Sequence, residues 1–187
     1  MAVINCLKYR IRTVVVFFNF NSNFMKSKVV VIEFTKVDLP YGWLGNMFAA
    51  PIRYNDKVWR TSEALFQALR YESEEIREII RKEGSPMGAK MKAKKFKDQM
   101  VIVPMSEEDV ENMKMVIRLK FDQYPVLKSK LKISGLHTIV ENIGNRKGER
   151  HLFWGMKKVD GNWEGNNKMG KLLMELREEY LKKGKNE

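Results

Sequence analysis

Glu63 is the carboxylate best placed to do chemistry, standing in Thr61-Ser62-Glu63-Ala64-Leu65-Phe66-Gln67 just after a short stretch that ends in Trp59. Thr61 is a good helix N-cap, which puts Glu63 in the first turn and Gln67 one turn later on the same face. The positive end of a helix favours an ionised carboxylate. Beside Trp, Phe and Tyr side chains, such an oxygen can activate water or stabilise a developing oxocarbenium ion. The plainer use of the same residue is to complement its own helix dipole. Other chemistries lack their residues: no Ser-His-Asp constellation, phosphate-cradling loop or dinucleotide glycine pattern is present. One cysteine, Cys6, rules out an intramolecular disulfide, and two histidines leave a Cys/His zinc site short of ligands.

The elements that must position Glu63 follow from pattern. Val29 to Phe34 reads as a β-branched strand, and Asp38 to Asn46 as a glycine loop carrying aromatics. Ile52-Arg53-Tyr54 and Val58-Trp59 suggest a short hairpin, although Asn55-Asp56-Lys57 lacks a glycine. Ala64, Leu65, Ala68 and Leu69 recur at helical spacing after Thr61. Further helices are expected after Ser73 with an end at Gly84, from Ser85-Pro86, and after Ser106 towards Tyr124 with Val110, Met113, Ile117 and Phe121 inward. Pro125 opens a shorter helix, Leu136 to Glu141 reads as a strand, and Met169 to about Lys183 as the last helix. The stretch from Asn142 to Asn167 is glycine-rich with few helix signals, so it reads as a long functional loop.

A chain of 187 residues has room for one core, since a domain takes roughly 100–200 residues. The first 24 residues hold basic and aromatic side chains and no acid, whereas Met25 opens a cleaner segment. The expected organisation is therefore an extension or mis-assigned start over 1–24 and one domain over 25–187. The net charge of +12 favours anionic partners; lysines on solvated helix faces explain the same excess. The lone cysteine points to a reducing, cytoplasmic setting, and because no apolar run approaches the roughly 18–20 residues that span a bilayer, no membrane partner is expected.

Five segments read together carry more information. Trp43-Leu-Gly-Asn-Met-Phe-Ala-Ala-Pro-Ile52, Val58-Trp-Arg-Thr-Ser-Glu-Ala-Leu-Phe-Gln-Ala68, Ser85-Pro-Met-Gly-Ala-Lys-Met91, Phe153-Trp-Gly155 and Gly165-Asn-Asn-Lys-Met-Gly-Lys-Leu-Leu-Met-Glu-Leu-Arg177 resemble, in this order, the segments of the YbiA/NADAR family of N-glycosidases. The resemblance runs over roughly Val31 to Lys183. It implies an α+β fold, a mainly helical single domain with a small β-sheet. It also implies hydrolysis of a ribose–nitrogen bond without metal or cofactor. The implied substrates are phosphoribosylamino-pyrimidine intermediates of riboflavin biosynthesis or, alternatively, ADP-ribosylated guanine, which would make ADP-ribosylated nucleic acid a partner.

By that resemblance Glu63 takes the catalytic glutamate's place, and Trp154, Gly165 and Asn167 form the wall and phosphate end of a pocket. An N-glycosidase needs one group on the sugar side and one on the base side; Glu63 is assigned to the first and His151 to the second. Trp154 and Trp43 are candidates to stack on the base, and Arg70 with Asn167 to hold phosphate. Asn46 and Gln67 complete the expected binding set. Three positions depart from the family: His151 replaces an acidic residue, Arg70 a lysine, and Met105 a tryptophan. Two readings of other classes stay open, a catalytically silent nucleotide-binding module and a basic nucleic-acid-binding protein whose affinity falls steeply with salt.

Overall fold

Four hydroxyl side chains start the helices where the sequence places them. Thr61 Oγ1 accepts the Ala64 N–H, Ser73 Oγ that of Ile76, Ser85 Oγ that of Gly88 and Ser106 Oγ that of Asp109. Each satisfies a donor that the helix itself cannot, worth about 1 kcal/mol apiece. The structure is a computed structural model that describes residues 30–183; the expected extension over 1–24 and the start at Met25 lie outside the described residues.

The chain runs β1 (Val31–Phe34), β2 (Ile52–Tyr54), β3 (Lys57–Trp59), α1 (Ser62–Ala68), α2 (Glu74–Arg81), α3 (Pro86–Lys95), α4 (Glu107–Gln123) and α5 (Pro125–Ile133). It continues through β4 (Thr138–Glu141), α6 (Glu149–Trp154), β5 (Lys157–Val159), β6 (Asn162–Glu164) and α7 (Lys168–Lys183). The fold is α+β and mainly helical, as expected; its strands form three two-stranded sheets. β1 pairs with β4 in parallel, Val31 opposite Thr138 and Phe34 opposite Glu141, so every helix from α1 to α5 lies in the crossover between them.

β2 and β3 form the expected hairpin without a glycine, because Asn55 and Asp56 both take positive φ (46° and 58°), which these two residue types tolerate. The stretch from Asn142 to Asn167 is a correction: it holds α6 and the β5–β6 hairpin rather than one loop. α6 escapes pattern reading because it is six residues long and starts from Gly148 (φ 102°) with no capping side chain. α2 stops at Arg81, before Gly84.

The core lies between α4, α1, α7 and the β1–β4 pair. Met113, Val116, Ile117 and Phe121 of α4 and Leu172, Leu173, Leu176 and Tyr180 of α7 are buried together, each large apolar side chain contributing about 1.5–3 kcal/mol. All seven residues of α1 are buried, the polar Ser62, Glu63 and Gln67 included. Lys120 also sits on the buried stripe of α4 and is fully covered. Its Nζ donates to the carbonyls of Trp43 (2.6 Å) and Gly45 (2.9 Å), which pins the aromatic loop after β1 onto α4.

Candidate active site

The C-terminal ends of β1 and β4 open onto a cavity of about 750 Å³, the position at which parallel strands commonly present ligand sites. Thr35 to Asp38 after β1 and Ile143 to Arg146 after β4 form two of its edges. α1 supplies the floor with Glu63, Phe66 and Gln67, Arg70 adds to it from the turn that follows, and α3 closes a side with Pro86, Met87 and Lys90.

Glu63 is buried, and its backbone N–H donates to the Asn46 carbonyl at 3.1 Å, which joins α1 to the loop after β1. Its Oε1 accepts from Gln67 Nε2 at 2.9 Å. Gln67 Oε1 in turn accepts from Arg70 Nη1 at 3.0 Å, and Arg70 grips Asp109 with both Nε (2.8 Å) and Nη2 (2.9 Å). Asp109 Oδ2 also takes the Met105 N–H at 2.8 Å. A buried chain of donors and acceptors thus fixes the Glu63 carboxylate from one side and leaves its other side to the cavity. The Arg70 guanidinium lies over the Phe66 ring at 4.4 Å, and Phe66 meets Trp154 edge-on at 5.7 Å.

Asn46 donates its side-chain N–H to the Met113 sulfur, and its buried Oδ1 has no hydrogen-bond partner among the described residues. Around the mouth stand Lys36, Lys90, Arg146 and Arg150. Lys36, Lys90 and Arg150 make no ion pair among the described residues, so three cations are left facing solvent beside an aromatic cavity.

Of the residues expected from sequence, Asn46, Glu63, Gln67, Arg70, His151 and Trp154 come together on this cavity, whereas Trp43, Gly165 and Asn167 do not line it. Trp43 packs edge-on against Phe121 at 6.2 Å, so it anchors its loop instead of offering a face to a base. Asn167 spends its amide on the backbone, donating to Ile139 O at 2.8 Å and accepting from Glu141 N–H at 3.1 Å. Gly165 (φ 130°) is pressed onto the Gly155 carbonyl, where any Cβ would collide, and serves the path of the chain. Arg70 has its fork committed to the buried Asp109 carboxylate and to Gln67, so it positions its neighbours and is not free to grip a ligand. Met105 is absent from the cavity wall.

His151 does line the cavity, but burial holds its imidazole below the ordinary value, and the charges of Arg146, Lys90 and Arg150 push it the same way. That is the reverse of what a proton donor at neutral pH requires. Glu141 shares the cavity and sequence reasoning missed it. Burial pushes its carboxyl above the usual range; Arg146 and Lys90 oppose the shift and the nearby Glu63 charge adds to it. The available signal was its place at the C-terminal end of a strand, next to the glycine-rich stretch.

Among the described residues no group of His, Cys, Asp or Glu converges as a metal ion would need, and no helix is long and apolar enough to cross a membrane.

Residues 22–181 match the sequence profile of the NADAR domain. The chain is 34% identical over 151 residues to the N-glycosidase YbiA of Escherichia coli (strain K12), a span covering 80% of this chain and 88% of that protein. It is 26% identical over 167 residues to a riboflavin biosynthesis protein of Vibrio vulnificus (strain YJ016), covering 87% of this chain and 41% of the other. The NMR structure of the E. coli protein YbiA superposes with a TM-score of 0.70 at 30% identity, over 86% of this chain and 90% of that one.

Proposed function

The chain belongs to the NADAR family and is a hydrolase of the N-glycosidase kind, and from that premise we propose that its substrate is a phosphoribosylamino-pyrimidine of riboflavin biosynthesis, cleaved between ribose C1′ and nitrogen. The observation that carries this reading is one cavity in which a buried carboxylate, an aromatic wall and unpaired cations at the mouth occur together. A ribose 5′-phosphate joined to a flat base asks for those three surroundings. The family relationship to a riboflavin biosynthesis protein supports the choice of base.

In this reading the base lies against Trp154 and Phe66, and the phosphate meets Lys36, Lys90 and Arg150 at the mouth. Asn46 Oδ1, a buried acceptor lacking a partner, takes a ribose hydroxyl. Glu63 faces the sugar. As the C1′–N bond lengthens, positive charge grows on C1′ and the ring oxygen, and a fixed carboxylate stabilises it more in the transition state than in the ground state. The same oxygen accepts the proton of the attacking water. Gln67, held by Arg70 and Asp109, keeps that carboxylate from rotating away, so little reorganisation is needed during reaction.

A second substrate, ADP-ribosylated guanine, is favoured by one observation: the cavity's 750 Å³ sits well inside the roughly 300–1,000 Å³ range of ligand pockets and leaves space beyond a mononucleotide. Incubation with a phosphoribosylamino-pyrimidine and, separately, with ADP-ribosylated guanine DNA, followed by quantitation of released base, tests both. We expect faster release from the pyrimidine. Release only from the modified DNA would replace this substrate by the second, and tight binding of either without release would leave a silent nucleotide-binding module.

A further inference from the structure

Glu141 closes β4 with its backbone held at several points. Its N–H donates to Asn167 Oδ1 at 3.1 Å and its carbonyl accepts the Met156 N–H at 2.8 Å. Gly155 packs so closely on that carbonyl that any side chain there would collide. The carboxyl itself makes no hydrogen bond among the described residues, and 22% of the side chain's surface remains open, on the cavity. Its nearest cation, Arg146, stands at 4.0 Å and spends Nε and Nη2 on the carbonyls of Ile143 and Asn142. An elaborately fixed backbone therefore presents a carboxyl that makes no hydrogen bond among the described residues, and only a long ion pair to Arg146, to the same space as Glu63.

We propose that Glu141 is the proton donor of the reaction, protonating the departing nitrogen while Glu63 serves the sugar. The proposal rests on the N-glycosidase reading above and assigns the base-side role to this residue instead of His151. A donor must hold its proton near neutral pH, and two carboxylates in unequal environments divide acid and base work in this way. The surroundings of Glu141 shift it in that direction, since burial and the Glu63 charge favour its neutral form against the opposing charges of Arg146 and Lys90. His151 does not, because burial and three surrounding cations oppose its charging.

The step balances as a hydrolysis. Glu141 gives its proton to the nitrogen, the C1′–N bond breaks, and the bonding pair stays on that nitrogen. The water oxygen bonds to C1′ and passes a proton to Glu63. The products are the sugar with a free 1′-hydroxyl and the amino-pyrimidine, after which the two carboxyls exchange protons with solvent. Turnover must then fall as pH rises through the Glu141 pKa.

The test is the pH profile of kcat and KM for a phosphoribosylamino-pyrimidine in the full chain, Glu141→Gln and His151→Gln, with a carbon-13 titration of side-chain carboxyls in the wild type. We expect Glu141→Gln to lower kcat about a hundredfold or more, to leave KM within a few-fold, and to lose the alkaline fall that His151→Gln retains. Should that variant fail to fold, Glu141→Asp keeps the acid but withdraws it, so it must retain the alkaline fall while kcat drops. Near-wild-type kcat in Glu141→Gln, an alkaline fall abolished by His151→Gln instead, or a Glu141 carboxyl titrating near the usual ~4.3 would overturn the proposal. A wild type that releases no base from the pyrimidine overturns the substrate reading, and the carboxyl titration still judges Glu141 on its own.

Discussion

On one side of the cavity Glu63, Gln67, Arg70 and Asp109 are each less than a tenth exposed and are linked by hydrogen bonds into one chain. On the other side residues 144–150 are all exposed, and the charged groups Lys90, Arg146 and Arg150 surround His151 and Glu141 without a comparable network. The buried side holds a carboxylate still, which suits stabilisation of charge at a defined atom. The exposed side brings cations and a carboxyl whose burial pushes its pKa above the usual range, which suits attraction of an anion and proton exchange with solvent. Substitutions that break the Arg70–Asp109 end of the buried chain should damage fold and rate together, a charge-only change at Glu63 should act on rate alone, and those on the second side should act on binding and pH dependence.

The largest effect is expected at the Arg70–Asp109 pair. Arg70→Leu leaves Asp109, which is fully buried, without a counter-charge and should cost about 3–5 kcal/mol. Arg70→Leu combined with Asp109→Leu should recover most of that stability by chemical denaturation. Turnover should not recover, because Gln67 still lacks the group that orients it. Recovery of both would show that the chain from Asp109 to Glu63 serves stability alone.

Lys120, buried on α4 away from the cavity lining, sharpens the comparison. Burial pulls its ammonium from the ordinary 10.5 down to about 7. A group depressed in the folded state contributes stability that is present above its unfolded pKa and lost as pH falls through the folded one, so this contribution declines from about 10.5 to about 7. Lys120→Met deprives two carbonyls of their donor, at about 1–3 kcal/mol. The loss should be larger at pH 10 than at pH 6, where removing a buried charge offsets it; thermal melts at both values measure the difference. An equal loss at both would mean that the ammonium is as well accommodated folded as unfolded.

These contrasts were unequally legible in the sequence. The four capped helix starts were readable because a cap is a local event: one hydroxyl and the N–H two or three residues on. Glu63 was readable for the same reason, standing two residues after its cap. The parallel pairing of β1 with β4 joins residues more than a hundred positions apart, and no local pattern encodes it, so the shared cavity of Glu63 and Glu141 stayed hidden. Asp160-Gly161 carried the hairpin signal that makes β5 and β6, both residues taking positive φ. Its glycine-rich surroundings mask that signal, because they have the composition of one long loop. Trp43, Arg70 and Asn167 were located by motif, but a motif does not say whether a side chain faces a ligand or its own backbone. Lys120 falls on the helical period of Met113 and Ile117, a position where a lysine must be buried if the stripe is.

The central claim is that the Glu63 charge acts on the transition state, and Glu63→Gln tests it most directly because it keeps shape and hydrogen-bonding capacity while removing the charge. Single-turnover rates on a phosphoribosylamino-pyrimidine, measured beside the melting temperature of the same preparation, should fall about a hundredfold or more with melting nearly unchanged. Full turnover with melting reduced by the about 0.3–1 kcal/mol of a helix-dipole interaction would contradict the account.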